Sequence, residues 1–204
     1  MQSVVNIAQQ LGRKNRTRAL PTLWLMTDAV RLKDPVRAVL TLPRGSGVIV
    51  RHMENGARRA LAEKWAPQCR RLGLKLLIAG DWRLAARINA DGLHLPELQA
   101  RVGVIAPAMH WQRRTRSFLT TAAHNFAAMT RGARLGADAV ILAPVFTTAS
   151  HPTARTLGPT RLAALVRKVR CPVIALGGIT RRTAPRLLDS GAQGIAGIGW
   201  TAGD

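Results

Sequence analysis

Between residues 20 and 198 the chain alternates short apolar runs with longer stretches whose apolar positions recur at helical spacing. The runs predict strands over Thr22–Met26, Val48–Arg51, Lys75–Ala79, Gly92–Leu95, Ser117–Thr121, Ala139–Ala143, Pro172–Leu176 and Gly194–Ile198. Each is apolar with little alternation, the pattern of a strand covered on both faces. Asn55–Leu72 reads as a helix, with Ala57, Leu61, Trp65 and Cys69 at i, i+4 spacing and a stop before Gly73. Asn125–Leu135 starts on a capping Asn, Pro159–Val169 opens with Pro in its first turn, and Thr180–Ser190 begins on a capping Thr. A further helix is predicted over Val4–Leu11.

Strand alternating with helix implies parallel pairing, because each crossover returns to the same edge. Three loops echo one another between a helix and the next strand: Asn89-Ala90-Asp91-Gly92, Gly136-Ala137-Asp138-Ala139 and Gly191-Ala192-Gln193-Gly194. Small residues there let a helix end and pack close to the next strand, in any αβ loop. Eight strands in a chain of 204 residues favour closure into a small (β/α)8 TIM barrel. Six residues follow Ile198, so the final helix is expected to be short or missing. An open dinucleotide-binding sheet is the alternative, but no GxGxxG follows the first strand. The expected organisation is a basic N-terminal arm over 1–20 and a barrel over 21–204.

Composition narrows the class. A hydrophobic content of 47% excludes wholesale disorder, and no apolar run is long enough to cross a bilayer. Cys69 and Cys171 cannot build a disulfide framework and lack metal-site spacing, which favours reduced thiols in a cytoplasmic protein. The net charge of +21 raises nucleic acid as a partner. Against that, the basic residues are spread through almost every segment, and only Arg13-Lys14-Asn15-Arg16-Thr17-Arg18 forms a run. A phosphorylated small molecule is the milder reading of the charge.

In a barrel, chemistry collects at the C-terminal strand ends. Leu176-Gly177-Gly178-Ile179-Thr180 runs from a predicted strand into a predicted helix, so bare N–H groups and the helix dipole would make an anion site. Gly197 and Gly199 let a second backbone approach the same phosphate; tight turns needing glycine are the plainer alternative. The loop Pro144–His151 offers Thr148, Ser150 and His151 to an anionic substrate, or is a simple surface loop. His94 and His124 are the acid/base candidates, although His94 is placed to face the barrel interior. Arg51 could bind phosphate and Asp81 a metal, or each could join a rim ion pair.

These residues carry a resemblance. Thr27-Asp28, Val50-Arg51, Asp91-Gly92-Leu93-His94-Leu95, Gly136-Ala137-Asp138, Pro144-Val145-Phe146-x-Thr148-x-Ser150, Ala175-Leu176-Gly177-Gly178-Ile179 and Gly191-Ala192-x-Gly194-Ile195-Ala196 stand in order over nearly the whole chain beyond the arm. Together they resemble the thiamine phosphate synthase/TenI superfamily. The resemblance implies a TIM barrel acting late in thiamine biosynthesis. Its synthases join a hydroxymethylpyrimidine diphosphate to a thiazole phosphate with Mg²⁺. TenI-type relatives instead isomerise a carboxylated thiazole phosphate, using a histidine after the fifth strand and no metal.

Carried over by position, the match divides. Thr148, Ser150, Gly178, Ile198 and Gly199 occupy the places that hold the thiazole phosphate in the family. The family's Gln-x-Arg-x-Lys run reads Ile49-Val50-Arg51-His52-Met53 and keeps only Arg51. Its Asn-Asp pair reads Gly80-Asp81, its second metal Asp falls on Gln99, and the lid lysine reads His151. Asp81 is therefore a weak Mg²⁺ ligand, relevant only if Mg²⁺ is used, whereas tautomerisation needs just a phosphate anchor and His124. The leading expectation is a TenI-like thiazole tautomerase that needs no cofactor. A divergent Mg²⁺-dependent synthase is the first alternative, and a catalytically silent regulatory or nucleic-acid-associated protein the second. The expected partner is a phosphorylated thiazole, with no membrane and not nucleic acid in the leading reading, and a homo-oligomer is compatible with it.

Overall fold

A computed structural model describes residues 3–14, 20–28, 32, 35–51, 55–102, 106–148 and 155–198. Eight strands form one closed, wholly parallel barrel in sequence order: β1 (Leu23–Met26), β2 (Gly47–Val50), β3 (Lys75–Ala79), β4 (Gly92–Leu95), β5 (Phe118–Ala123), β6 (Ala139–Leu142), β7 (Val173–Leu176) and β8 (Gly194–Gly197). The helices are α1 (Val4–Lys14), α2 (Pro35–Leu40), α3 (Asn55–Leu72), α4 (Trp82–Arg87), α5 (Glu97–Val102), α6 (Ala106–Thr115), α7 (Phe126–Arg134) and α8 (Gly158–Val166). The small (β/α)8 barrel expected from the strand pattern is therefore the fold.

The unbroken apolar runs have a simple origin. Alternate residues of each strand pack inside the barrel, where Trp24, Met26, Ile49, Leu77, Ile141 and Ile174 make one cluster. The intervening Leu25, Val48, Val50, Leu76 and Ile78 face the helices and join the larger outer core. Trp24 fills the barrel, its Nε1 donating to the Pro21 carbonyl at 2.7 Å. A Cβ on Gly47 of the neighbouring strand would lie 2.1 Å from that indole, so glycine is the residue that lets the indole fit. His94 and Thr120, paired across β4 and β5, are polar yet fully buried.

The echoed loops also have a physical role. Asp91 and Asp138 each turn a carboxylate oxygen back on the start of the preceding strand, accepting from Leu76 N–H and Leu119 N–H at 2.9 Å. Two predicted helices open as expected. Asn125 Oδ1 accepts from Ala128 N–H at 2.9 Å, and Pro159 stands in the first turn of α8. In α3 the buried stripe is Ala62, Trp65, Ala66 and Cys69, while Ala57 is exposed.

The expected helix Thr180–Ser190 is not formed. Only a four-residue 3-10 helix, Ala184–Leu187, occupies that segment. Pro185 has no N–H to donate, and threonine hydroxyls compete for the backbone: Thr180 N–H donates to Thr183 Oγ1 at 2.8 Å, and Thr183 Oγ1 donates to the Gly178 carbonyl at 2.9 Å. The surface of β8 is covered by α1, which packs on β1, β8 and the 3-10 helix. Val4, Ile7, Ala8 and Leu11, at helical spacing, are its buried face. Burial of its three larger side chains contributes roughly 1.5–3 kcal/mol each relative to exposure.

Candidate active site

All eight strands are parallel, so their C-terminal ends share one mouth, and a cavity of about 150 Å³ opens there. Met26, Ile141 and Leu176 form its apolar wall, and Arg51, His94, Glu97 and His124 bring its polar groups together. Each polar group arrives by a local rule. Arg51 follows β2 and is exposed, its N–H held by the buried Thr27 Oγ1 at 2.8 Å. His124 follows β5 just before the Asn125 cap, which fixes where the strand ends and α7 begins.

Glu97, in the first turn of α5, faces His124 across the mouth. The His124 Nδ1 donates to Glu97 Oε2 at 2.5 Å, with Glu97 the more buried partner. This pairing fixes the ring orientation and leaves the other ring nitrogen to act on a substrate. The sequence reading passed over Glu97 because it lies beyond the end of β4 rather than at it. Its spacing of three residues after His94 was the available signal.

His94 lines the floor of the cavity and shares a hydrogen bond with Thr120 Oγ1 at 2.9 Å. Burial, reinforced by the Arg51 cation, pushes its pKa down to about 3. It is a neutral imidazole at physiological pH, facing the interior as its strand position implied. The two thiols move the other way: burial drives Cys69 up to about 12 and Cys171 up to about 11, so neither is a thiolate.

The remaining candidates stand apart from the cavity lining. Gly177 and Gly178 have φ of +104° and +63°, and a Cβ on Gly178 would lie 2.3 Å from the Thr147 carbonyl oxygen. These glycines bind the end of β7 to the loop after β6, where Val145 N–H donates to the Leu176 carbonyl and Phe146 N–H to that of Gly177. The helix dipole expected behind them is missing with the α-helix itself. Thr148 and Ile198 are half-buried. Ser150, His151, His52 and Gly199 lie outside the described residues.

A Mg²⁺ site would have to use Asp81 and its neighbours. Asp81 caps α4, its Oδ1 accepting from Leu84 N–H at 2.9 Å, and the Gln99 amide donates to the Gly80 carbonyl at 3.3 Å. No group of three or more His, Cys, Asp or Glu is gathered for a metal among the described residues. A hydrated Mg²⁺ can be held by one carboxylate together with substrate phosphates, and Asp81 offers that minimum.

A closed parallel barrel with a hydrogen-bonded His–Glu pair and an arginine at its C-terminal mouth defines the class: a (β/α)8 protein built for small-molecule chemistry. The family model for thiamine monophosphate synthase matches residues 29–200, and the chain belongs to that family. It is 33% identical over 185 residues to the "Putative thiamine-phosphate synthase 2" of Aquifex aeolicus, covering 88% of this chain and 96% of that one. With the thiamine-phosphate synthase of Bacillus velezensis it shares 26% over 198 residues, 93% of this chain and 86% of the relative. The thiamine phosphate pyrophosphorylase structure from Pyrococcus furiosus superposes with a TM-score of 0.67 at 22% identity, covering 88% and 86% of the two chains, which shows the shared fold. Among the described residues, no helix is long and apolar enough to cross a membrane.

Proposed function

We propose that this protein is a transferase of the thiamine-phosphate synthase type, joining hydroxymethylpyrimidine diphosphate to a thiazole phosphate with loss of diphosphate. The observation that carries the reading is the family match over residues 29–200, with relatives of that name sharing nearly the full length. This reverses the order expected from the sequence, where tautomerisation led.

The roles follow from position. Arg51, exposed at the mouth, supplies a fixed cation for the diphosphate. Thr148, Gly177, Gly178 and Ile198 anchor the thiazole phosphate on the opposite side, and the resemblance adds Ser150, His151 and Gly199 to that role. Asp81 is the residue to hold Mg²⁺, which when bound neutralises charge on the departing diphosphate. The neutral His94 closes the floor without adding a second cation beside Arg51. Held at both ends, the two rings meet over the apolar wall, and positioning supplies much of the rate. The test is direct: purified protein, both substrates, with and without Mg²⁺, thiamine phosphate as the readout. Mg²⁺-dependent product is expected; none at saturating substrate overturns the reading.

One observation favours the second reading, a TenI-like tautomerase. The His124–Glu97 pair at 2.5 Å is the arrangement that moves a single proton, and that reaction requires no metal. Conversion of the carboxythiazole phosphate tautomer should then fall about 10²-fold or more in His124→Ala. Equal rates for the two proteins would remove His124 from the mechanism.

A further inference from the structure

The basic residues look scattered in the sequence, and the fold gathers many of them. Because the barrel is closed and parallel, the last helix of each crossover returns the chain to the start of the next strand. Helix C-termini therefore ring the end of the barrel opposite the cavity. Those C-termini are where the cations fall: Arg70 and Arg71 end α3, Arg113 and Arg114 end α6, Arg134 ends α7, and Arg170 follows α8. All six are exposed. The carboxylates described at this end are already engaged. Asp91 pairs with Lys75, Asp138 accepts from the Leu119 N–H, and Asp189 pairs with Lys14.

A single cation in a last turn is what a helix dipole favours. Paired adjacent arginines at two helix ends exceed that and repel one another, which an external polyanion would relieve. Neighbouring helices in packed folds lie roughly 8–10 Å apart, so the ring presents cations at intervals suited to a charged backbone rather than to one phosphate. Two features choose between polyanions. Among the described residues, the exposed large apolar side chains are Leu40, Leu98 and Phe126, and the last two lie in the first turns of α5 and α7 at the mouth end. A lipid surface needs apolar side chains to bury, and this face offers Leu40 alone among them. Single strands are held by stacking on exposed aromatics, and Phe126, the one large aromatic exposed among the described residues, is at the far end.

We propose that this arginine-rich face, remote from the active site, binds the phosphate backbone of duplex nucleic acid without reading its sequence. The interaction goes beyond the enzymatic reading and does not depend on it. The experiment is fluorescence anisotropy of the full-length protein with a labelled 20-base-pair DNA duplex between 50 and 200 mM salt. Affinity should fall linearly on logarithmic axes, by about 0.9 in slope for each phosphate engaged. R113E/R114E should weaken binding at least about tenfold at 50 mM salt and flatten the slope by about 2. R181E/R182E, exposed residues at the mouth end, should leave binding within about twofold. Circular dichroism verifies that each variant is folded. No duplex binding at 50 mM salt, equal losses from both variants, or capture by phosphatidylserine vesicles without duplex binding would each overturn the proposal.

Discussion

The two sides of the barrel mouth are built from different materials. After β6 and β7 the wall is backbone: Gly177 and Gly178 at positive φ lie against Pro144, Phe146 and Thr147, leaving no room for a Cβ. After β2 to β5 the wall is side chains, Arg51, Asp81, Glu97 and His124, all of them at least partly exposed. Backbone walls can change only with the fold, while side-chain walls can drift. Five of the six positions that depart from the family pattern, 49, 52, 53, 80 and 99, stand in or after β2 to β4 in the sequence, and the sixth, His151, stands in the loop after β6. The backbone side is thus a fixed feature of the fold, and under the proposed function the reaction is decided across the mouth from it.

The largest expected effect lies on the backbone side. Gly178→Ala would place a Cβ 2.3 Å from a carbonyl oxygen at φ +63°, combining left-handed strain with overpacking. A loss of about 2–4 kcal/mol is expected, or roughly 5–15 °C in melting temperature. Gly136→Ala is the control: φ is +77°, but no atom lies within 4 Å of the added Cβ, so about 1 kcal/mol is expected. Arg51→Ala, on the other side, should leave the melting temperature nearly unchanged. Equal losses for Gly178→Ala and Gly136→Ala would break the distinction between the walls.

Between the two sides lies His94, and its effect shows in acid. Burial and Arg51 hold its native pKa near 3, against an ordinary 6.5 in the unfolded chain. From pH 6.5 down to 3 the unfolded chain binds a proton that the native protein refuses. Stability therefore falls as pH falls through that window, by about 2 kcal/mol at pH 5 from this group. His94→Gln removes the titration and should flatten the melting temperature between pH 7 and 5. An unchanged pH slope would show that His94 is solvated after all.

Strand positions, α3 and the α7 cap were legible because burial on two faces and capping chemistry are local signals. The segment after β7 departs from its sequence pattern: a capping Thr and a following Gly outline a helix, whereas Pro185 and the Thr180–Thr183 hydroxyl bonds form only a 3-10 turn. In the site, Arg51 and His124 could be found by counting from strand ends. Glu97 carries a weaker signal, its spacing of three residues from His94, because its role depends on α5 bringing it to His124. The clustering of Arg113 and Arg134 could not be read, because it exists only once the helices are aligned around the barrel.

On the side-chain wall, Asp81→Asn separates metal binding from folding. Asparagine caps a helix as well as aspartate does, so the melting temperature should hold. If Asp81 holds Mg²⁺, the concentration for half-maximal synthase activity should rise at least about tenfold, since even an outer-shell partner is worth that much to a metal site. An unchanged Mg²⁺ requirement would move the metal elsewhere in the mouth.

The smallest effect expected from a single substitution is the most informative about His124. Its bond to Glu97 is partly exposed and contributes little to stability, about 1 kcal/mol at most, so Glu97→Gln should fold normally. Glutamine keeps a hydrogen-bond partner for the ring but loses the charge, and a drop in kcat of about three- to tenfold is expected with KM for the thiazole phosphate little changed. A double-mutant cycle then asks whether the two residues act as one device. If Glu97 works by orienting His124, Glu97→Ala costs nothing further once His124 is alanine, because there is no ring left to hold. Additive losses would mean that Glu97 meets the substrate itself, and the side-chain wall would then carry an independent carboxylate rather than a pair.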